Sequence, residues 1–128
     1  MDARLRGDDE YNLSIELEIE PLDTERVAAG VAQVLREQAA TRSVVHDAEG
    51  GVEFAVRDDS DVSALGVYRY EDLRGRGGEQ ADISDRTRRA SFDLTEGPLL
   101  RVVHCRRAAA DRLIFACHHL IADGTSWR

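Results

Sequence analysis

Two adjacent histidines, followed by an aspartate and a glycine, carry the strongest chemical signal in this 128-residue sequence. They are His118, His119, Asp123 and Gly124, in the stretch FACHHLIADGTSWR at residues 115–128. A neutral imidazole near pH 7 can accept a proton from a nucleophile. An aspartate four residues after His119 is close enough to influence the loop that carries it. The pattern therefore predicts a general base where an apolar segment meets a loop.

The two histidines are predicted to have different roles, because adjacent residues of a strand project to opposite faces. The apolar stretch DRLIFACHH, residues 111–119, is typical of a strand that ends at this pair. We expect His119 to point toward open space and to act as the base. We expect His118 to pack or hydrogen-bond beneath the sheet, where it would act mainly through stability.

Two other chemistries fit these residues less well. Ser126 lies seven residues from His119 without a sharp glycine-flanked turn to present it, which disfavours a Ser-His-Asp triad. A zinc site built from His104, Cys105, Cys117 and the histidine pair is also disfavoured, because these side chains alternate between faces. We therefore expect no metal site. Both cysteines are expected to be free thiols.

A predicted β-hairpin positions the histidine pair. Residues 99–106 and 112–118 are apolar and flank a turn centred near Ala109. The predicted cross-strand pairs are Cys105 with Ile114 and Cys117 with Val102. This register places the two cysteines too far apart for a disulfide.

The N-terminal part of the chain predicts a strand followed by a helix. Residues 12–20 (NLSIELEIE) alternate between apolar and polar side chains, which is typical of a half-buried strand. Pro21 ends the strand, and Asp23 or Thr24 can cap a helix that runs to about Ala40. In this helix Val31 and Leu35 are expected to be buried.

The middle of the chain predicts shorter elements. Strands are expected near 43–47 and 52–57, joined by the turn Glu49-Gly50-Gly51, with a further short strand at 66–70 and a helix near 79–91. Together the elements predict an α+β fold with helices on one face of a mostly antiparallel sheet.

Composition and charge exclude several functional classes. The chain carries 25 acidic against 17 basic residues, a net charge of −8, which disfavours nucleic acid and anionic membranes as partners. It contains neither an apolar run of transmembrane length nor a signal-peptide pattern, so we expect a cytoplasmic protein.

The same residues resemble a known family. His118 to Gly124 fit HHxxxDG, the hallmark of condensation domains in nonribosomal peptide synthetases. Residues 92–94 (FDL) and 97–101 (GPLLR) are similar to the family's segment that enters the strand before the motif. Tyr11-Asn12 and the Pro-Leu-Asp at 21–23 are similar to the family's N-terminal strand and first long helix.

The resemblance implies a fold, a reaction and partners. The fold is chloramphenicol-acetyltransferase-like, with two similar subdomains whose shared tunnel admits the phosphopantetheine arms of carrier (thiolation) proteins. His119 would assist attack of an acceptor amine on a donor thioester, with no cofactor bound directly. Asp123 would be structural and pair with an arginine, for which Arg42 is the best match and Arg36 a weaker one.

The resemblance also predicts the domain organisation. Residues 1–10 are expected to be a flexible N-terminal segment, and 11–128 a truncated N-terminal subdomain that needs the remaining C-terminal half for activity. Condensation is the favoured branch. Ser126-Trp127-Arg128 is similar to epimerisation domains instead, and an inactive remnant that serves as a carrier-protein or docking surface is the alternative of another class.

Overall fold

The computed structural model describes residues 12–49, 51–58, 66–76, 78–94 and 97–118. The elements in chain order are β1 (Asn12–Ile19), α1 (Thr24–Glu37), a 3-10 helix (Ala39–Arg42), β2 (Ser43–Ala48), β3 (Gly51–Val56), β4 (Tyr68–Asp72), α2 (Glu79–Arg88), β5 (Leu100–Arg106) and β6 (Asp111–His118). Predictions for Tyr11, His119, Asp123 and Gly124 lie outside the described residues.

The principal sheet has four strands in the order β1-β6-β5-β4. Strand β6 pairs antiparallel with both β1 and β5, whereas β4 runs parallel to β5. The parallel pair needs a crossover connection, and α2 lies in that connection. Strands β2 and β3 form a separate antiparallel hairpin. The predicted α+β class is confirmed, with one parallel pair in an otherwise antiparallel sheet.

Helix α1 begins where the sequence predicts it. The Asp23 side chain accepts a hydrogen bond from the backbone N–H of Glu25 at 3.1 Å and caps the first turn. Leu35 is 2% exposed and packs with Leu100 and Val102 of β5 in the main core cluster. Val31 is partly buried against the same cluster.

The two helices pack on opposite faces of the sheet rather than on one face. Leu35 of α1 packs with Val102, whereas Ile83 of α2 packs with Val103 and Cys105. Residues 102 and 103 are neighbours on β5 and project in opposite directions. We call these two sides the α1 face and the α2 face. A right-handed parallel crossover and a separate N-terminal helix can cover both faces, which residue periodicity alone does not reveal.

The register of the β5–β6 hairpin differs from the predicted one by two residues. Cys105 pairs with Arg112 and Cys117 with Leu100, because the turn closes at Arg106 and Asp111. The N–H of Arg107 donates to the carbonyl of Ala110 at 3.1 Å inside this turn. A shift of two residues leaves each side chain on its predicted face, since the side-chain period of a strand is two.

Both cysteines are free thiols within the core. Burial raises the pKa of the Cys117 thiol to about 11, and burial also raises the pKa of Cys105. At pH 8 Cys117 in the native protein should therefore react with iodoacetamide roughly a hundredfold or more slowly than an ordinary thiol. Labelling in urea, followed by mass spectrometry, supplies the control, since both thiols should then react at ordinary rates. Rapid native labelling of Cys117 would contradict its placement in the core.

Candidate functional site

His118, the first histidine of the motif, is fixed at the end of β6. It pairs with Asn12 of β1 and is 6% exposed. Its backbone N–H donates to the carbonyl of Leu99 at 3.0 Å, which extends the hairpin ladder by one bond. His118 therefore lies inside the sheet rather than in open solvent. The other motif residues, His119, Asp123 and Gly124, follow it outside the described part of the chain.

Asn12 joins the strand end that carries His118 to the end of α2. Its side-chain amide donates to the carbonyl of Ala90 at 2.7 Å and to that of Arg88 at 3.2 Å. These carbonyls belong to the C-terminal end of α2 and the residues after it, where helix carbonyls lack intrahelical partners. Sequence reasoning placed Asn12 in a strand without assigning it a contact. The one sign of this contact in the sequence was a polar amide at the start of the alternating strand pattern.

The segment before β5 is held by close packing. Phe92 is almost fully buried, and the N–H of Val45 donates to the carbonyl of Leu94 at 2.6 Å. Gly97 has φ 67°, and a Cβ there would lie 2.9 Å from Cγ1 of Val44. A side chain at position 97 would therefore be strained and would collide with β2. The glycine lets the chain pass β2 closely before β5 begins.

Arg42 connects helix α1 to strand β3. Its Nε donates to the carbonyl of Leu35 at 2.6 Å, and its guanidinium also donates to the carbonyl of Arg57. These bonds satisfy a carbonyl in the last turn of α1 and one just after β3. Arg36, the weaker candidate, is exposed in that last turn. The pairing of Arg42 with Asp123 stays a prediction, because Asp123 lies outside the described residues.

A buried hydrogen-bond network lies at the opposite end of the β5–β6 hairpin. The side chains of His104 and Asp111 are both 0% exposed, and His104 Nε2 lies 2.7 Å from Asp111 Oδ2. His104 Nδ1 lies 2.9 Å from the Tyr68 hydroxyl. An ionised carboxylate can only accept, so Nε2 donates to Asp111, and the Tyr68 hydroxyl completes the contacts of the ring at Nδ1. Burial raises the pKa of the Tyr68 hydroxyl above its ordinary value.

Asp111 is the acceptor that the rest of this network shares. Arg106 Nε donates to Oδ1 at 2.8 Å, and the backbone N–H of Leu22 donates to Oδ2 at 2.9 Å. Burial acts to raise the pKa of the Asp111 carboxyl, but hydrogen bonds from Arg106, His104 and Leu22 outweigh it and hold the pKa below its ordinary value. Sequence reasoning considered His104 only as a zinc ligand and did not identify Asp111.

Metal-ligating side chains do not converge in the described part of the chain. Across residues 12–49, 51–58, 66–76, 78–94 and 97–118, no group of three or more His, Cys, Asp or Glu is placed to hold a metal ion. His104 instead uses both ring nitrogens within the Tyr68–Asp111 network. In the same described residues, no helix has the length and apolarity needed to cross a membrane.

Comparison with solved structures defines the fold class. The epimerization domain from the third module of tyrocidine synthetase B aligns with 87% of this chain at a TM-score of 0.74 and 24% identity. The starter condensation domain of rhizomide synthetase aligns with 89% of the chain at a TM-score of 0.72 and 21% identity. The aligned part is 26% and 28% of those chains, respectively. The fold is thus that of condensation-type domains, which are chloramphenicol-acetyltransferase-like.

Sequence comparison identifies the family. The family model described as "Condensation domain" matches residues 4–128. Surfactin synthase subunit 2 of Bacillus subtilis (strain 168) is 32% identical over 112 residues, covering 83% of this chain and 3% of that protein. Tyrocidine synthase 2 of Brevibacillus parabrevis is 32% identical over 99 residues, covering 75% of this chain and 3% of that protein. The chain belongs to the condensation-domain family of nonribosomal peptide synthetases and spans a small part of these relatives.

The buried network predicts a large loss of stability on Asp111→Asn. The substitution removes the charge and turns one of the two acceptor oxygens into an NH2 donor, so that some of the donors from Arg106, His104 and Leu22 lose their acceptor. This should cost about 3 kcal/mol of unfolding free energy at pH 7, measured by urea denaturation. Because the folded-state pKa of Asp111 is lowered, its contribution is present above the unfolded-state pKa of about 3.9 and is lost as pH falls through the folded value. The difference between wild type and variant should therefore shrink below about pH 4.

Asp72→Asn is the matched control for this experiment. Asp72 also pairs with an arginine, Arg74, at 2.7 Å, but both side chains are exposed. Its loss should change the free energy of unfolding much less. Equal effects of the two substitutions would contradict a special role for the buried carboxylate.

Proposed function

We propose that this chain forms part of a condensation domain that joins two carrier-bound substrates through an amide bond. The amine of the acceptor attacks the carbonyl carbon of the donor thioester, and the donor's thiol leaves with a proton. The substrates arrive on phosphopantetheine arms of carrier proteins, so the domain itself requires no directly bound cofactor. The observation that carries this proposal is the HHxxxDG pattern at His118–Gly124 within a chain of this family.

His119 is the residue to which we assign the chemistry. Attack by a neutral amine generates a positively charged nitrogen, and a neutral imidazole near it can accept the excess proton. The burial of His118 at the end of β6 supports a division of roles, since a histidine held within the sheet is poorly placed to meet a substrate. Asp123 and Gly124 would maintain the orientation of the loop that carries His119.

An exposed apolar strip supports the proposal that the rest of the domain packs against this chain. Leu13, Ile15 and Leu17 lie on the same face of β1, and Ile15 is 59% exposed. Leu13 and Ile15 border a cavity of about 240 Å³ whose lining includes Phe115 and Cys117 of β6. Contiguous exposed apolar surface of this kind usually marks an interaction site. We assign it to the remaining part of the condensation domain.

Epimerisation is the second candidate function. Ser126-Trp127-Arg128, directly after the Asp-Gly-Thr of the motif, is similar to epimerisation domains. In that reaction a base removes the α-proton of a carrier-bound peptidyl residue, and a proton returns to the opposite side of the carbon. His119 would serve in both reactions. The third alternative is an inactive remnant that binds carrier proteins.

Substitution of the two histidines should separate their roles. In a complete condensation domain containing these residues, His119→Ala should slow product formation about 10²–10⁴-fold with little change in thermal midpoint, because it removes a positioned base. His118→Ala should mainly lower the thermal midpoint, since it leaves a gap at a buried position. Mass spectrometry of carrier-bound products measures the first effect, and calorimetry measures the second.

Product analysis in that experiment also distinguishes the candidate functions. A new amide bond between donor and acceptor supports condensation, whereas exchange of the α-proton with solvent deuterium without bond formation supports epimerisation. Full activity of His119→Ala in either reaction would refute the assignment of the base. Absence of both reactions, with carrier-protein binding retained, would favour the inactive remnant.

A double-mutant cycle tests the proposed pairing of Arg42 with Asp123. Arg42→Gln and Asp123→Asn should each destabilise the complete domain. The loss in the double variant should fall short of the sum by about 1 kcal/mol, because residues in direct contact are not additive. The free energies come from urea denaturation. Additive effects would show that Arg42 acts only through its bonds to Leu35 and Arg57, and Arg36→Gln provides the comparison.

A further inference from the structure

A small cavity with several arginines lies on the α2 face of the sheet, the face on which His118 also lies. It has a volume of about 80 Å³. Its charged lining is formed by Arg69 and Glu71 of β4, Arg86 of α2 and Arg101 of β5, over apolar Val103. The chain as a whole is acidic, with a net charge of −8. A concentration of guanidinium groups is therefore a local feature rather than a consequence of composition.

The arginines of this cavity differ in how their charges are balanced. Arg69 pairs with Glu71 at 2.9 Å, and Arg86 pairs with Asp82 at 3.3 Å. For Arg101, the described residues offer no carboxylate within ion-pair distance. Its guanidinium lies 5.5 Å from the centre of the Phe92 ring, a contact with an aromatic face that leaves its hydrogen-bond donors available. Arg101 thus brings an unbalanced charge to the cavity.

The surroundings of Arg101 favour the entry of an anion. Burial lowers its pKa, and the nearby positive charge of Arg69 lowers the pKa further. Arginine nevertheless stays protonated at neutral pH. Arg101 is therefore a half-buried cation that is also repelled by Arg69. A bound anion would offset both the cost of burying this charge and the repulsion from Arg69.

We propose that this cavity binds a phosphate group, with Arg101 as its principal ligand and Arg69 and Arg86 at its edge. Guanidinium groups present planar pairs of N–H donors that match phosphate oxygens, and a phosphate can accept bonds from several of them at once. A carboxylate offers fewer acceptors to the three arginines that line this cavity. Glu71 is already paired with Arg69 and so opposes the anion only weakly.

The cavity's location suggests two sources for the phosphate. Arg101 pairs with Ala116, which precedes His118 by two residues on the same face of β6. The two positions are separated by about 7 Å along the strand. Alternation along the strand predicts His119 on the opposite face, so a phosphopantetheine arm that crosses the end of the sheet could place its phosphate on this face while its thiol reaches the other. This source rests on the proposed function. Free inorganic phosphate is the other source and does not depend on it.

Calorimetric titration of the complete domain tests the proposal with three probes at constant ionic strength: inorganic phosphate, 4′-phosphopantetheine and pantetheine, which lacks the phosphate. We expect the two phosphate-bearing probes to bind and Arg101→Gln to weaken them about tenfold or more, as loss of a charged hydrogen-bonding pair implies. Arg101→Lys keeps the charge without the planar donor pair, so its affinity for these probes should lie between that of the wild type and that of Arg101→Gln. Arg74→Gln, the matched control, removes an arginine outside the cavity and should change affinity less than about twofold.

Each outcome bears on the proposal. Stronger binding of phosphopantetheine than of inorganic phosphate identifies the carrier arm as the source, and equal binding identifies free phosphate. Absence of binding by either, or equal weakening by Arg101→Gln and Arg74→Gln, overturns the site. Arg69→Gln repeats the test if Arg101→Gln fails to fold. Failure here leaves the His119 experiment unaffected, so the two proposals are refuted separately.

Discussion

The carboxylate of Asp111 is the constraint on which the rest of the described fold depends. It accepts hydrogen bonds from His104 and Arg106 within the β5–β6 hairpin and from the backbone of Leu22, which is 89 residues away in sequence. A buried charge is tolerated when its lone pairs are satisfied, and these three donors satisfy them. The turn of the hairpin, the connection from β1 to α1 and, through His104, Tyr68 of β4 are thereby held in one arrangement.

This constraint reaches the candidate site through the register of the hairpin. Asp111 pairs with Arg106 at one end of β6, so every later pair along the strand follows, to Leu100 with Cys117 at the other end. His118 then meets Asn12, whose amide is bonded to the end of α2. A slip of one residue would reverse the faces of all these side chains. The position of the strand end before His119 is thus determined by polar contacts at the far end of the same strand.

Periodicity was sufficient to predict much of this fold but not its polar contacts. The alternation at 12–20 and the helical spacing after Asp23 report which side chains are apolar, and the structure has a strand and a helix at these places. The hairpin register depends on how the turn closes, which the pattern does not specify, and the prediction was wrong by two residues. Asp111 resembled an ordinary turn residue, because its partner Leu22 is distant in sequence. The motif itself was recognisable by residue type alone, whereas the cavity at Arg101 required the strand pairing.

The two faces of the sheet differ in how completely the described residues cover them. On the α2 face, the carboxylate of Glu16 on β1 accepts a hydrogen bond from the hydroxyl of Ser84 on α2 at 2.8 Å and lies 3.4 Å from Arg112 of β6. The helix is thus joined to strands β1 and β6 by polar contacts. On the α1 face, α1 packs on β4 and β5, and the apolar strip of β1 stays exposed. On the neighbouring strand β6, Cys117 is 5% exposed and Phe115 packs against the core cluster, so the exposed strip is about one strand wide. A stable dimer buries about 800 Å² per partner, so an apolar strip this narrow is better suited to a segment of the same domain than to a dimer.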